Sequence, residues 1–138
     1  MKRILFVDDE EYRHKIIAAK LVVDHAYTYD EAIHKLTANE YSVVFLDHDM
    51  ELRHYQLLGS SDYTKEVLER TGYNIACWMV ENKRIPTNAV VIHTMNSVGG
   101  NRMYQALLDT DCATIRCTFG TDKFDRLLVN IRTWQEDE

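Results

Sequence analysis

Three clusters of polar side chains, each following a short apolar run, have the composition needed for chemistry at phosphorus. They are Asp8 and Asp9 after run 4–7, Asp47, His48 and Asp49 after run 43–46, and His93, Thr94, Asn96 and Ser97 after run 89–92. Clustered carboxylates raise one another's pKa, and a divalent cation relieves that repulsion. Histidine titrates near neutrality and can move protons between water, substrate and leaving group. Together these types predict metal-assisted chemistry on a phosphate.

The predicted metal ligands are Asp8, Asp9 and Asp47. Oxygen ligands suit Mg²⁺ or Mn²⁺, whereas an added histidine would shift the preference toward Mn²⁺, Fe²⁺ or Zn²⁺. Alternatively, acidic residues at strand ends cap the next helix or lie in solvent. Because capping accounts for one carboxylate per helix and not for four at one edge, we expect a divalent metal, Mg or Mn, as cofactor.

His48 and His93, with Asp47 and Asp49, are the candidate catalytic residues. Opening a cyclic phosphodiester requires an activated water and a proton for the leaving oxygen, and histidine fits either step. The alternative is that one histidine is structural and bonds to a backbone carbonyl. We expect His14 to be a solvated helix residue without a comparable role.

The stretch before the fourth predicted helix has the features of a phosphate site. Exposed N–H groups at a helix start bind phosphate, and glycine allows its close approach. Ordinary N-capping by an asparagine or serine is an equally good and compatible interpretation. The predicted substrate-binding residues are Thr94, Asn96, Ser97, Gly99 and Gly100.

Five apolar runs alternate with helical patterns and position these residues. Strands are predicted at 4–7, 22–27, 43–46, 89–92 and 112–117, and helices at 10–21, after 28, at 72–82, 99–108 and from 120. Right-handed crossovers then favour a doubly wound three-layer α/β sandwich with a parallel sheet. In the strand order 2-1-3-4-5, the polar ends of strands one, three and four meet at one edge.

The remaining features indicate one domain, 1–138, with an irregular insertion at about 50–71 that includes a short helix at 63–70. The acidic end, 135–138, is predicted to fray. With 138 residues and a net charge of −6, the chain has few cations for contacts along a long nucleic acid. No apolar run approaches the ~20 residues of a membrane span. The three cysteines and the absence of a signal pattern predict reduced thiols and a cytoplasmic location.

The acidic pair after strand one and Asp47 after strand three resemble a response-regulator receiver domain. In that class, which has this flavodoxin-like strand order, the carboxylates hold Mg²⁺ and the strand-three aspartate accepts a phosphoryl group. The resemblance implies that Thr94 matches the receiver hydroxyl. The receiver lysine after strand five is missing, because 116–119 reads Arg-Cys-Thr-Phe and Lys123 lies further on.

Two further motifs are similar to the receiver-like family described as cyclic-phosphate-processing. They are Leu-Asp-His-Asp at 46–49 and Ile-His-Thr-Met-Asn-Ser-Val-Gly at 92–99, together with Met103. This resemblance implies a phosphate-handling or hydrolytic role. The predicted function is therefore metal-dependent phosphoesterase hydrolysis of a small, nucleotide-derived cyclic phosphate. The alternatives are a phosphoaccepting receiver with Asp47 as acceptor, or a non-catalytic module that sequesters a nucleotide signal.

Overall fold

A computed structural model describes residues 2–50 and 70–137 as one parallel sheet covered by helices on both faces. The sheet has the order β2-β1-β3-β4-β5, which confirms the predicted doubly wound sandwich. The strands are β1 Ile4–Val7, β2 Asp24–Ala26, β3 Val43–Leu46, β4 Ala89–Ile92 and β5 Ala113–Arg116. The helices of the described ranges are α1 Glu11–Ala18, α2 Tyr29–Ala38, α3 Gly72–Glu81, α4 Ser97–Leu107 and α5 Asp122–Glu136.

The strand register brings the polar ends of three neighbouring strands together. Val7 of β1 pairs with Leu46 of β3, and Leu46 pairs with Ile92 of β4. The next residues along these strands are Asp8, Asp47 and His93. Because every residue of β1 and β3 is buried, the sheet holds this edge rigidly between two apolar layers.

Threonine caps determine where three of the helices begin. Thr28 accepts a hydrogen bond from the Glu31 N–H at 3.1 Å, as its spacing predicts. Thr71 and Asn74 form a reciprocal capping box at the start of α3, and Thr121 caps α5. Each cap satisfies an N–H group that has no partner within its helix.

The helical spacing of Tyr12, Ile16 and Ala19 predicts that these residues form the inner face of α1, and this prediction is wrong. Tyr12 and Ile16 are 53% and 40% exposed, whereas Ile17 and His14 are buried. Ile17 packs under Phe6 in the apolar layer that α1 and α5 cover. The helix is therefore rotated relative to the face that its aromatic and aliphatic spacing predicts, because His14 takes an interior position.

The predicted fraying of the C-terminal residues is also wrong at Gln135. This side chain is 6% exposed and lies in the last turn of α5. Its amide nitrogen donates to the carbonyls of Lys2 and Val22 at 3.0 and 2.8 Å, and its oxygen accepts from the Val22 N–H. Gln135 therefore ties the end of α5 to the segments before β1 and β2.

His14, predicted to be solvated, is only 2% exposed and pairs with the half-buried His25. Its Nε2 lies 2.7 Å from the Asp8 carbonyl, and its Nδ1 lies 2.7 Å from Nδ1 of His25. A carbonyl only accepts, so Nε2 of His14 carries the hydrogen and Nδ1 accepts from His25. The ring also stacks on Tyr27 at 3.9 Å. This arrangement requires His14 to be neutral, so that its Nδ1 can accept the hydrogen from His25.

We expect acid to weaken the fold through this pair. Burial lowers the pKa of both His14 and His25 from the ordinary 6.5. The unfolded chain therefore binds more protons below about pH 6.5, and stability is lost as the pH falls through that value. His25→Asn keeps a neutral donor to His14 and removes one titrating group. In urea unfolding, its free energy of unfolding relative to that of wild type should increase as the pH falls from 7.5 to 5.5.

The variant and wild type contain the same acidic residues. The opposite contribution of those residues to the pH dependence therefore cancels in the difference between the two free energies of unfolding. His34→Asn, on the exposed side of α2, is the control, and its difference from wild type should stay constant. A His25→Asn difference that is equally flat across this pH range would contradict the neutral-pair interpretation.

The remaining predictions can be placed briefly. Cys112 and Cys117 are buried, Cys77 is half-buried, and all three are free thiols, as expected. Within the described ranges, no helix is both long enough and apolar enough to span a membrane. Most of the predicted insertion, including nearly all of the helix expected at 63–70, lies outside the described residues.

Candidate functional site

The site is built around Asp8, Asp47 and His93, which come from three adjacent strand ends. One oxygen or nitrogen from each lies within 4.8 Å of the others, and all three residues are buried. This grouping of residues 85 positions apart follows from the strand register. Convergence at the carboxyl edge of the sheet is the arrangement that the sequence predicts.

Asp8 is a fully buried carboxylate held by partners on several sides. Its Oδ2 accepts from Nε2 of His93 at 2.8 Å and from Arg13 at 3.1 Å. Its Oδ1 accepts the Glu10 N–H at 2.8 Å, which helps to start α1. Burial alone would raise the pKa of Asp8, but the hydrogen bond and charge of His93 and the other contacts bring its pKa below the ordinary value.

His93 lies in an aromatic enclosure beneath Asp8. It is 0% exposed, and its ring stacks on Phe6 with centroids 5.0 Å apart. Phe45, Phe119 and Phe124 surround it at centroid distances of 6.0 to 6.3 Å. Nδ1 has no hydrogen-bond partner among the described residues. The one polar connection of this ring therefore runs through Nε2 to Asp8.

Asp47 and Asp9 are the residues of the acidic cluster whose pKa values are raised. Burial, reinforced by the charge of Asp8, raises the pKa of Asp47, although His93, Arg13 and Thr94 oppose the shift. Burial and the charges of Asp47 and Asp8 raise the pKa of Asp9 to about 7. A divalent cation would favour the charged form of both groups, so this donor set fits a metal. Asp9 is half-buried and lies outside the three-residue group, and its role as a ligand stays a prediction.

Arg13 is a member of the site that sequence reasoning missed. Its Nη1 lies 3.1 Å from Oδ2 of Asp8 and 3.7 Å from Oδ2 of Asp47, and its side chain is 13% exposed. The spacing gives a weak signal, because Arg13 lies in the first turns of the helix that follows Asp8. Its inward direction depends on the rotation of α1 that also buries His14.

A second cluster connects the third and fourth strand ends. His48 lies 2.7 Å from Asp49, measured from Nδ1 to Oδ1, and Asn96 donates to the same oxygen at 3.1 Å. β3 ends at Leu46, so the alternation of side chains does not extend to these residues. Asp49 is consequently paired with His48 instead of pointing together with Asp47.

Gly99 leaves the space that the His48 ring fills. A Cβ at this position would lie 2.4 Å from Cγ of His48, so the ring must move in Gly99→Ala. We expect the bond to Asp49 to break and stability to fall by about 1–3 kcal/mol. The measurements are His48 ring nitrogen shifts by NMR and urea unfolding. Gly100→Ala is the control, because its Cβ approaches chiefly the end of the Arg116 side chain. Unchanged His48 shifts in Gly99→Ala would contradict this packing.

The predicted substrate-binding residues differ in their contacts and in their exposure. Asn96 accepts the Gly99 N–H at 2.8 Å and caps α4, as the capping interpretation requires. Thr94 is buried beside Asp47, and its hydroxyl accepts the Asn96 N–H at 3.1 Å. Ser97 is exposed, and its carbonyl accepts from Arg116, which also covers buried Gly100.

The end of β5 supplies no lysine to the acidic group in the described ranges. Cys117 is 4% exposed and packs in the apolar layer beside Phe124. Arg116 extends over the start of α4, and Lys123 lies in α5 near Cys117. The contacts to Asp8 and Asp47 from a permanently charged side chain come from Arg13.

The solved structures that are similar to this chain include response-regulator receivers. Response regulator DrrB of Thermotoga maritima, an OmpR/PhoB homolog, is 21% identical, with a TM-score of 0.62 over 99% of this chain and 53% of that chain. TrrA of the same organism, solved in complex with Mg(2+)-BeF, is 21% identical, with a TM-score of 0.58 over 95% and 99%. A CheY-like receiver from Methanospirillum hungatei is 16% identical, with a TM-score of 0.61 over 99% and 95%. The chain thus spans about half the length of DrrB. No curated protein sequence matches it.

The sheet order and these structural relatives define a receiver-type α/β domain. The chain belongs to the family described as Cyclic-phosphate processing Receiver domain, which matches residues 3–109. This membership confirms the resemblance that the strand-end motifs indicate.

Proposed function

We propose that this chain is a phosphoaccepting receiver in which Asp47 is the acceptor and a divalent cation binds beside it. The observation that carries the proposal is the meeting of Asp8, Asp47 and His93 at one sheet edge. Family membership and the receiver fold of its structural relatives support the same choice. The proposal therefore gives the receiver alternative priority over hydrolysis.

The metal is proposed to be Mg²⁺, with Mn²⁺ as its substitute. Nε2 of His93 already donates to Asp8, so the proposed ligands are carboxylate oxygens of Asp8, Asp9 and Asp47. Hard oxygen ligands favour these two ions over Zn²⁺. A cation bound there would neutralise charge on the phosphoryl oxygens and keep Asp47 ionised despite its raised pKa.

The side chains of the site would each contribute one element of the transfer. An Asp47 carboxylate oxygen forms a bond to phosphorus while the bond from phosphorus to the donor's leaving oxygen breaks, leaving an acyl phosphate on Asp47. The His48 N–H donates to Oδ1 of Asp47 at 2.9 Å and fixes the carboxylate plane. Thr94, buried beside Asp47, is placed to donate its hydroxyl hydrogen to a phosphoryl oxygen.

Intact mass spectrometry after incubation with acetyl phosphate and Mg²⁺ tests this function. Wild type should gain the mass of one phosphoryl group, and the gain should disappear with EDTA. Asp47→Asn should remove it, whereas Asp111→Asn at an exposed position serves as the control and should label normally. Labelling that persists in Asp47→Asn, or no labelling of wild type, would contradict the proposal.

A second candidate, cyclic-phosphate hydrolysis, is favoured by the pairing of His48 with Asp49. In the tautomer whose Nδ1 donates to Asp49, Nε2 of His48 is left able to accept a proton from water. The water oxygen would bond to phosphorus, one ribose oxygen would leave with a proton, and a phosphomonoester would form. The substrate class would be a small cyclic nucleotide.

Turnover of 2′,3′-cyclic nucleotides and cyclic dinucleotides with Mg²⁺ or Mn²⁺ tests this candidate. His48→Gln should abolish product formation, and His34→Gln should not. Calorimetric binding without product in wild type would instead favour a module that sequesters the nucleotide.

A further inference from the structure

Arg13 occupies the position between the two buried carboxylates of the site. Its Nη1 contacts Oδ2 of Asp8 at 3.1 Å and lies 3.7 Å from Oδ2 of Asp47. Its guanidinium also faces the Phe119 ring at 5.1 Å. This cation is thus held against an oxygen of the proposed acceptor.

The other donors of Arg13 are only partly used. Nε donates to the Tyr12 hydroxyl at 3.1 Å, while Nη2 faces Sδ of Met95 at 4.0 Å. A thioether is a weak acceptor, and Met95 is 72% exposed, so it offers little resistance to replacement. A phosphoryl oxygen is a much stronger partner for a guanidinium. Arg13 can therefore donate a further hydrogen bond to an anion at Asp47.

We propose that Arg13 acts in two opposite ways at this site, competing with the divalent cation for Asp8 and Asp47 and binding the oxygens of a phosphoryl group on Asp47. This inference rests on the proposed function and extends it to a residue outside the strand-end motifs. Arg13 is thereby a phosphoryl-binding residue that also sets the metal affinity.

The two roles follow from charge. A guanidinium and a divalent metal ion that share carboxylate oxygens repel each other, and at this short separation the repulsion is large enough to change the metal affinity by about tenfold. A bound phosphoryl group adds negative charge that both cations can share, so Arg13 hinders the metal alone and favours the anion.

Two binding measurements on purified full-length variants separate these roles. Free Mn²⁺ is measured by electron paramagnetic resonance, and beryllofluoride binding at saturating Mg²⁺ by ¹⁹F NMR. Arg13→Gln should bind Mn²⁺ about tenfold more tightly and beryllofluoride about tenfold more weakly. Arg13→Lys keeps the charge and should recover much of the anion affinity. Arg126→Gln, on the exposed side of α5, is the control and should change neither affinity.

The two affinities distinguish a ligand-binding role of Arg13 from a structural one. A purely structural role would weaken both affinities in Arg13→Gln, and unchanged affinities would show that Arg13 touches neither ligand; either result overturns the inference while the proposed function stands. If wild type binds neither Mn²⁺ nor beryllofluoride, the proposed function and this inference fall together. Thermal unfolding of each variant confirms that the affinities are measured on folded protein.

Discussion

His93→Ala is expected to lower the free energy of unfolding by about 3–5 kcal/mol, because it removes a large buried side chain and a hydrogen-bond partner of a buried carboxylate. The substitution leaves Asp8 buried without one of the two groups that donate to it at 2.8 Å. It also opens a cavity where the ring stacks on Phe6. The measurement is urea unfolding at pH 7.

Two further variants separate packing from pairing at this position. His93→Phe refills the aromatic enclosure but offers Asp8 no donor, whereas His93→Gln keeps an N–H donor with poorer packing. We expect Phe to leave the pKa of Asp8 higher than in wild type, because the hydrogen bond and charge of His93 lower it. If His93→Ala were within about 1 kcal/mol of wild type, the ring could not be the support of Asp8 that we describe.

Gly72→Ala is expected to lower the free energy of unfolding by about 3 kcal/mol or more and to displace Asp47, the proposed acceptor. A Cβ on Gly72 would lie 1.8 Å from the Asp47 carbonyl oxygen and 3.0 Å from Cα of His48. These are backbone atoms, so α3 has to move away from the end of β3. The Gly72 N–H, which donates to the His48 carbonyl at 2.9 Å, would lose that bond.

Urea unfolding and acetyl phosphate labelling measure the two consequences of Gly72→Ala. Gly100→Ala carries the same substitution where the nearest atoms are the Arg116 guanidinium and a Thr94 methyl group, and a smaller loss is expected there. Equal losses in the two variants would indicate that the close approach of α3 to β3 has no special role.

The strands and their order could be predicted because their cause is local. β1 and β3 are short apolar runs buried on both faces, and each ends at an ionisable residue. Right-handed crossovers then leave few topologies, so the meeting of Asp8, Asp47 and His93 follows from sequence alone.

The inner face of α1 could not be predicted because its cause lies in tertiary contacts. Tyr12 and Ile16 have helical spacing, yet the Asp8 carbonyl and His25 hold His14 inside. The same rotation directs Arg13 toward the carboxylates, and no residue spacing in the sequence predicts that direction. Gln135 likewise lies in the interior because its side-chain amide donates to the carbonyl of Val22, more than a hundred residues away in the sequence.

The most direct measurement is an anomalous difference map from crystals grown with Mn²⁺ and beryllofluoride. Our account predicts one manganese peak beside the carboxylates of Asp8 and Asp47, with beryllofluoride on Asp47 and the Arg13 guanidinium beside its fluorines. Manganese bound elsewhere, or beryllofluoride absent from Asp47 at saturating concentration, would contradict a phosphoryl site at this sheet edge.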